Sequence, residues 1–209
     1  MARRRKTAES DEAASAPRIV GGDLRGRRLE FAPAARTRPM KDRVRETLFD
    51  LLGQRVRGAT AIDLFAGSGA LGFEAISRGA DRAVFVERHF PTADALRRNA
   101  RQLGVNDRVD VRSGDVLLWA RKMPPLPASS PWVVFVSPPW SFFHERTAEL
   151  MALIEAMMVA APVGSTIMVE SDESFEPTTL PSTGCWGSRP ILPAVLHMAA
   201  KQHEGWGPA

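Results

Sequence analysis

A single cysteine, Cys185, stands in 209 residues. That excludes an internal disulfide and fits a reducing cytosol. Long apolar runs are also missing: the most apolar stretch, residues 150–163, is short for a membrane span and carries Glu155. Arg3-Arg4-Arg5-Lys6 has the charge that opens a signal peptide, but polar residues 7–12 follow where an apolar segment would stand. The expectation is a cytoplasmic protein without a membrane partner. His144, His197 and His203 have no metal-ligand spacing with Cys185, so no metal is expected, and no serine or cysteine nucleophile motif or internal repeat occurs.

What the chain does hold is a hydrophobic content of 44%, enough to build one full core. Its charge is uneven. Residues 1–60 carry 15 Lys and Arg against 8 Asp and Glu, while the rest is mildly acidic and the whole chain is +4. A basic first third on an acidic body suits a polyanion-binding face, against the plainer alternative of a solvated basic surface.

The chain is organised around Asp63-Leu-Phe-Ala-Gly67-Ser-Gly69-Ala-Leu-Gly72. Apolar Ala61-Ile62 ends a buried strand, the glycines allow a tight turn and close ligand approach, and a helix follows with Leu71, Ala75 and Ile76 inward and Gly79 as its stop. Gly67-x-Gly69-x-x-Gly72 is by spelling a dinucleotide fingerprint. Two acids change that reading. Asp63 closes the strand where dinucleotide folds usually carry an apolar residue, and a carboxylate there suits an ammonium, as on the methionine end of S-adenosyl-L-methionine. Glu87 closes the next apolar strand, 83–86, twenty residues after Gly67, where an acid accepts from ribose hydroxyls. The alternative is a structural glycine turn beside two solvated acids.

Residues 1–16 lack apolar periodicity and read as a disordered basic tail. Arg18 to Phe31 reads as a hairpin around Gly21-Gly22-Asp23. A helix follows Pro39, with Val44, Leu48, Leu51 and Leu52 on its apolar stripe, Asp42 as N-cap or first-turn acid and Gly53 as stop. Arg43 and Arg45 are expected to point away from that stripe. Pro91 starts a helix that runs to Leu103 and stops at Gly104. Residues 109–113 read as a third strand; Asp115 beyond it either accepts from an adenine amino group or caps a helix over Val116 to Lys122, and the two roles are compatible. After a Pro/Ser loop at 124–131, residues 132–136 read as a fully buried strand. A helix at 145–160, a strand at 165–170, a loop at 171–190 and a last apolar segment at 191–200 complete the pattern of alternating strands and helices.

The buried strand 132–136 leads into Ser137-Pro138-Pro139-Trp140. Consecutive prolines fix φ and remove two donors, leaving carbonyls free to accept. Ser137 Oγ and the Pro138 carbonyl suit the N–H groups of a planar base, with Trp140 stacking on its ring. The alternative is a rigid loop around a packed tryptophan.

The run from Arg18-Ile-Val-Gly-Gly through Arg25-Gly-Arg, Thr37-Arg-Pro39 and Asp42 to Phe49, then Asp63 to Gly72, resembles the RsmD family, bacterial methyltransferases acting on a guanine amino group (N2) of small-subunit ribosomal RNA. The resemblance spans residues 18–175, and Val169-Glu170-Ser171 continues it. It departs at Ser137, where the family carries Asp or Asn, at Trp140, where it carries Tyr or Phe, at Met40-Lys41, and after Glu176.

The resemblance implies an α/β, Rossmann-like S-adenosylmethionine-dependent methyltransferase fold with a seven-stranded, mostly parallel sheet and a basic N-terminal hairpin–helix extension. Residues 17–57 are expected to form the RNA-contacting extension and 58–203 the methyltransferase domain, acting as a monomer on ribosomal RNA or the small ribosomal subunit. The expected cofactor set is Asp63, Phe65, Gly67, Gly69, Glu87, Asp115 and Val116. The catalytic set is Ser137, Pro138, Pro139 and Trp140, and the RNA-contacting set is Arg25, Arg27, Arg28, Arg38 and Arg43. Ser137 and Trp140 read as a compensated pair, so Ser137→Asp is expected to preserve or raise the rate. The scheme requires no general base, and none is evident. Other readings are adenine-amino methylation of RNA or DNA, a non-catalytic RNA-binding descendant, and a nicotinamide-dependent oxidoreductase, the last opposed by Asp63 and the Ser-Pro-Pro-Trp turn.

Overall fold

A computed structural model describes residues 16–31, 40–120, 125–203 and 205–208. The disordered-tail reading of 1–16 and the site residue Arg38 therefore fall almost wholly outside the described residues. Five runs become parallel strands: β1 (Thr60–Asp63), β2 (Arg82–Glu87), β3 (Val109–Ser113), β4 (Trp132–Val136) and β5 (Thr166–Asp172), of which β3 alone has no buried residue. They stand in the order β3-β2-β1-β4-β5, followed by the antiparallel β7 (Ala194–Gln202) and β6 (Gly187–Ile191). The order reverses between β1 and β4, and such a switch point opens a crevice at the carboxyl ends of the strands.

Alternation along the strands divides the core into two layers. Ala61, Phe85, Phe135 and Met168 face one side, packed with Phe73, Leu96 and Phe49. Ile62, Val84, Val134 and Ile167 face the other, packed with Leu150, Ile154 and Met157. The first layer holds helices α1 (Asp42–Leu52), α2 (Ala70–Ser77) and α3 (Phe90–Leu103). α4 (Val116–Ala120), α5 (Phe142–Glu145) and α6 (Thr147–Ala160) lie on the second.

The sheet holds eight strands rather than seven. β8 (Gly205–Pro208) pairs with residues 199–202 of β7, on the edge whose residues 194–198 pair with β6. Two short strands thus share the seventh column. The expected loop at 171–190 contains a 3₁₀ turn at Pro177–Thr179 and most of β6. Its Gly-Ser-Arg-Pro-Ile run is mostly exposed and shows no apolar alternation, as an edge strand tolerates.

Other differences are local. The helix expected from Glu145 is broken at Arg146, whose φ of −135° leaves the helical region. On α1 the buried stripe is Val44, Leu48, Phe49 and Leu52; Leu51 is 38% exposed. Arg45, expected to face away, is fully buried. The Arg18–Phe31 hairpin is reduced to one bridge, Arg18 to Arg28, flanked by Ile19 N–H to Arg27 carbonyl (2.9 Å) and Leu29 N–H to Pro17 carbonyl (2.7 Å). Its turn docks on the last turn of α2 instead of extending the pairing: Asp23 N–H donates to the Ser77 carbonyl (2.8 Å), and Leu24 N–H to Ser77 Oγ (2.9 Å).

Candidate cofactor and base site

Three acceptors close neighbouring strands on one face. Asp63 ends β1 with the same parity as Ala61, Ser137 follows β4 with the parity of Phe135, and Glu170 in β5 shares that of Met168. The register pairs Asp63 with Phe135 and Val136 with Val169, so Ser137 is level with Glu170.

Asp63 is 1% exposed, and neither carboxylate oxygen has a hydrogen-bond partner. Burial pushes it up to about 7. The neighbouring charge of Glu87 adds to the shift, and the backbone amides of Gly72 and Phe65, outside hydrogen-bond geometry, offset part of it. A buried carboxylate without a donor is costly unless a ligand supplies one. An ammonium group on a cofactor supplies such a donor, and Asp63 fits it.

Two glycines, Gly69 in the loop after Asp63 and Gly72 in the helix that follows, leave no room for a side chain. Gly69 has φ of 77°, and a Cβ there would stand 2.4 Å from Leu96 Cδ2 and 2.7 Å from Phe73 Cε2. At Gly72 a Cβ would stand 2.3 Å from Phe85 Cε1, which is why α2 lies so close to β2. The Gly67 N–H donates to Glu87 Oε2 (2.8 Å) and the His89 N–H to Glu87 Oε1 (2.8 Å). Glu87 thus fixes the loop while each oxygen keeps lone-pair capacity for a further donor.

Asp115 caps α4 through Leu117 N–H to Oδ1 (2.8 Å), and its Oδ2 is 3.6 Å from Arg146 Nη1. Val116 is buried. Phe65 is half-buried and meets Phe142 edge-on at 6.0 Å, with the Arg146 guanidinium 5.3 Å from the Phe142 ring. Phe142 and Arg146, which the sequence does not single out, therefore tie the Asp115 side of the site to the turn after β4.

In that turn Pro138 is buried, Pro139 exposed, and Trp140 half-buried against both core layers. The Pro139 carbonyl starts α5 by accepting from Phe142 N–H (2.9 Å). The Ser137 hydroxyl donates to Glu170. Burial pushes Glu170 above the usual carboxylate range, with the Ser137 hydrogen bond holding part of the rise back. A carboxylate of raised pKa therefore stands behind Ser137, where the sequence shows no base; only the β4–β5 register reveals it.

Arg25, Arg27, Arg28 and Arg43 are exposed, with Arg27 Nη2 donating to the Gln102 carbonyl (3.3 Å). They are not gathered at the glycine loop. That loop opens α2, whereas the extension's turn docks at Ser77, eight residues or about 12 Å along the helix. The docking is carried by Glu74, which is fully buried. It accepts from Val20 N–H and Gly21 N–H (2.7 Å each), pairs with Arg78 Nε (2.8 Å), and lies 3.7 Å from Arg45 Nε, an ion pair without a hydrogen bond. Asn99 adds a second attachment, exchanging two 2.8 Å bonds with the Glu30 backbone.

Among the described residues no cluster of His, Cys, Asp or Glu could hold a metal, and no helix is long and apolar enough to cross a membrane. His197 is buried between Ser171 Oγ (2.9 Å) and Ser188 Oγ (2.8 Å), and burial lowers it to about 4.

Residues 17–187 match the family model described as Conserved hypothetical protein 95. The chain is 31% identical over 169 residues to YlbH of Bacillus subtilis, spanning 79% of this chain and 86% of that one. To Ribosomal RNA small subunit methyltransferase D of Escherichia coli it is 40% identical over 123 residues, which cover 59% of this chain and 60% of the relative. The solved structure of yhhF from Escherichia coli matches with a TM-score of 0.74 at 29% identity, over 90% of this chain and 99% of that one. With its Rossmann-like methyltransferase fold and a family match over most of its length, the chain belongs to the RsmD-type family of ribosomal RNA small-subunit methyltransferases.

Proposed function

We propose that the protein transfers a methyl group from S-adenosyl-L-methionine to the exocyclic amino group of a guanine in small-subunit ribosomal RNA. One observation carries this reading: the adjacent strands β1 and β4 end in a buried, unpartnered carboxylate and in a Ser-Pro-Pro-Trp turn. The first suits the ammonium of the cofactor and the second an amino-bearing base. Nicotinamide dinucleotides offer Asp63 no such ammonium.

When bound, S-adenosylmethionine supplies an electrophilic sulfonium methyl, so the protein's work is binding and aim. Asp63 would accept from the ammonium, Glu87 from the ribose hydroxyls, and Asp115, through the lone pairs that Leu117 and Arg146 do not use, from the adenine amino group. Gly67 and Gly69 let the backbone approach, while Phe65 and Val116 supply apolar contact. The amino lone pair of guanine is delocalised into its ring. Ser137 Oγ and the Pro138 carbonyl accept from its N–H groups and hold the nitrogen toward the methyl. Trp140 takes over the stacking that the base gives up on leaving its neighbours. Arg25, Arg27, Arg28, Arg38 and Arg43 bind phosphates and fix the orientation of the RNA.

The test is nucleoside mass spectrometry of ribosomal RNA from cells with and without the gene. The expected result is loss of one N2-methylguanosine from the small-subunit RNA. Loss of a methyladenosine would move the reading to adenine, and an unchanged spectrum would leave an RNA-binding role without transfer.

A further inference from the structure

A serine hydroxyl both donates and accepts, so a lone serine is an ambiguous partner for an amino group. Here the ambiguity is removed, because the Ser137 hydroxyl donates to Glu170 and the Ser137 lone pairs are left for another donor. Glu170 is itself 7% exposed, and β5 fixes it level with Ser137, just after β4, on one side and with Leu196 of β7 on the other. A bond to an ionised acceptor also polarises the hydroxyl and strengthens its oxygen as an acceptor.

We infer that Glu170 is a positioning residue of the amino-recognition turn, which acts through Ser137 to make a neutral serine serve as an oriented acceptor and then as a proton conduit. The inference rests on the methyl-transfer reading above. The amino nitrogen bonds to the methyl carbon of a sulfonium donor as the carbon–sulfur bond breaks, leaving a neutral thioether and a positively charged nitrogen. That nitrogen gives one proton to Ser137 Oγ while the Ser137 proton passes to Glu170, which ends neutral. Water then takes the proton and restores the carboxylate. The raised pKa of Glu170 fits a group that must accept a proton and release it again.

The arrangement reverses the expectation for Ser137→Asp. An aspartate at 137 would face the Glu170 carboxylate, and like charges at that distance disfavour each other's ionisation. Ser137→Asp alone is therefore expected to be slow, and Ser137→Asp with Glu170→Gln to recover.

The experiment is single-turnover transfer of labelled methyl by the full chain to small ribosomal subunits lacking the modification, at saturating cofactor and RNA. Calorimetry gives cofactor affinity, filter binding gives RNA affinity, and infrared difference spectra follow the Glu170 carboxyl band. Glu170→Gln should lower the transfer rate tenfold or more with both affinities within about twofold of wild type. Ser137→Ala should fall comparably and shift the carboxyl band, and adding Glu170→Gln to it should cost nothing further. Wild-type transfer by Glu170→Gln, additive losses in the double variant, or no recovery of Ser137→Asp would each overturn the role of Glu170. Wild type that binds both ligands and transfers nothing would instead overturn the parent reading, and this one with it.

Discussion

Asp63 works against the stability of the fold that holds it. Its ordinary pKa is 3.8, and burial raises it to about 7. A carboxyl with a raised folded-state pKa contributes stability below its unfolded value and loses that contribution as pH rises through the folded one. For Asp63 the loss runs from about pH 4 to about pH 7, worth at most about 4 kcal/mol. Asp63→Asn should therefore raise the melting midpoint of the ligand-free protein at pH 8. The same change should weaken S-adenosylmethionine by about 1.5–3 kcal/mol, the range for hydrogen bonds to charged groups. Wild-type affinity should decline as pH falls below about 7. Thermal melts and calorimetry across pH check all three, and a midpoint lowered by Asp63→Asn would contradict the sign. Asp63 and Glu87 were legible in the sequence because the glycine spacing places them at strand ends. Glu170 and Glu74 were not, because their partners are 33 and about 54 residues away. Arg45 was misplaced for a related reason: helical periodicity sends a charged side chain to solvent unless distant partners, here the Arg18 carbonyl and the Glu74 carboxylate, draw it inward.

At the level of elements, the short β-branched and apolar runs bounded by turn residues announced themselves as strands. Residues 109–113 and 132–136 have the same bounds in the sequence pattern and in the structure, as does the helix stop at Gly104. The edge strands β6 and β8 hold glycine, proline and exposed polar side chains, so nothing local distinguishes them from loop; their partner β7 defines them. The extension was legible as basic but not as a docked element, since its pairing is one bridge and its attachments lie on α2 and α3. Its exposed arginines give a prediction at this scale. Replacing Arg25, Arg27 and Arg28 together by Ala should weaken RNA binding and lower the salt slope by roughly 0.7–0.9 for each phosphate no longer neutralised. Affinity measured from low to high salt decides it; an unchanged slope would leave only a solvated surface.

Across the whole molecule, alternation of strands and helices foretold the layered sheet, but not that the N-terminal extension would share its core. Ile19 and Leu29 are each 1% exposed and belong to the same apolar cluster as Phe73 and Phe85. The described residues are thus expected to unfold in one cooperative transition. Glu74→Ala should lower stability by about 3–5 kcal/mol, because it leaves the Val20 and Gly21 amides and Arg78 Nε without their acceptor and removes the buried countercharge beside Arg45. Denaturant unfolding followed by tryptophan fluorescence and by circular dichroism checks this, and an early separate transition for the extension would refute it. α2 runs from the glycine loop at Gly69 to the docked extension at Ser77. Under the proposed function, cofactor at the glycine loop and RNA at the extension would act on opposite ends of one eight-residue helix, and their two binding equilibria would close a thermodynamic square. By whatever factor bound RNA tightens the hold on cofactor, bound cofactor must tighten the hold on RNA. An enzyme that takes up its methyl donor better on the ribosomal particle would, by the same factor, grip the particle less once emptied.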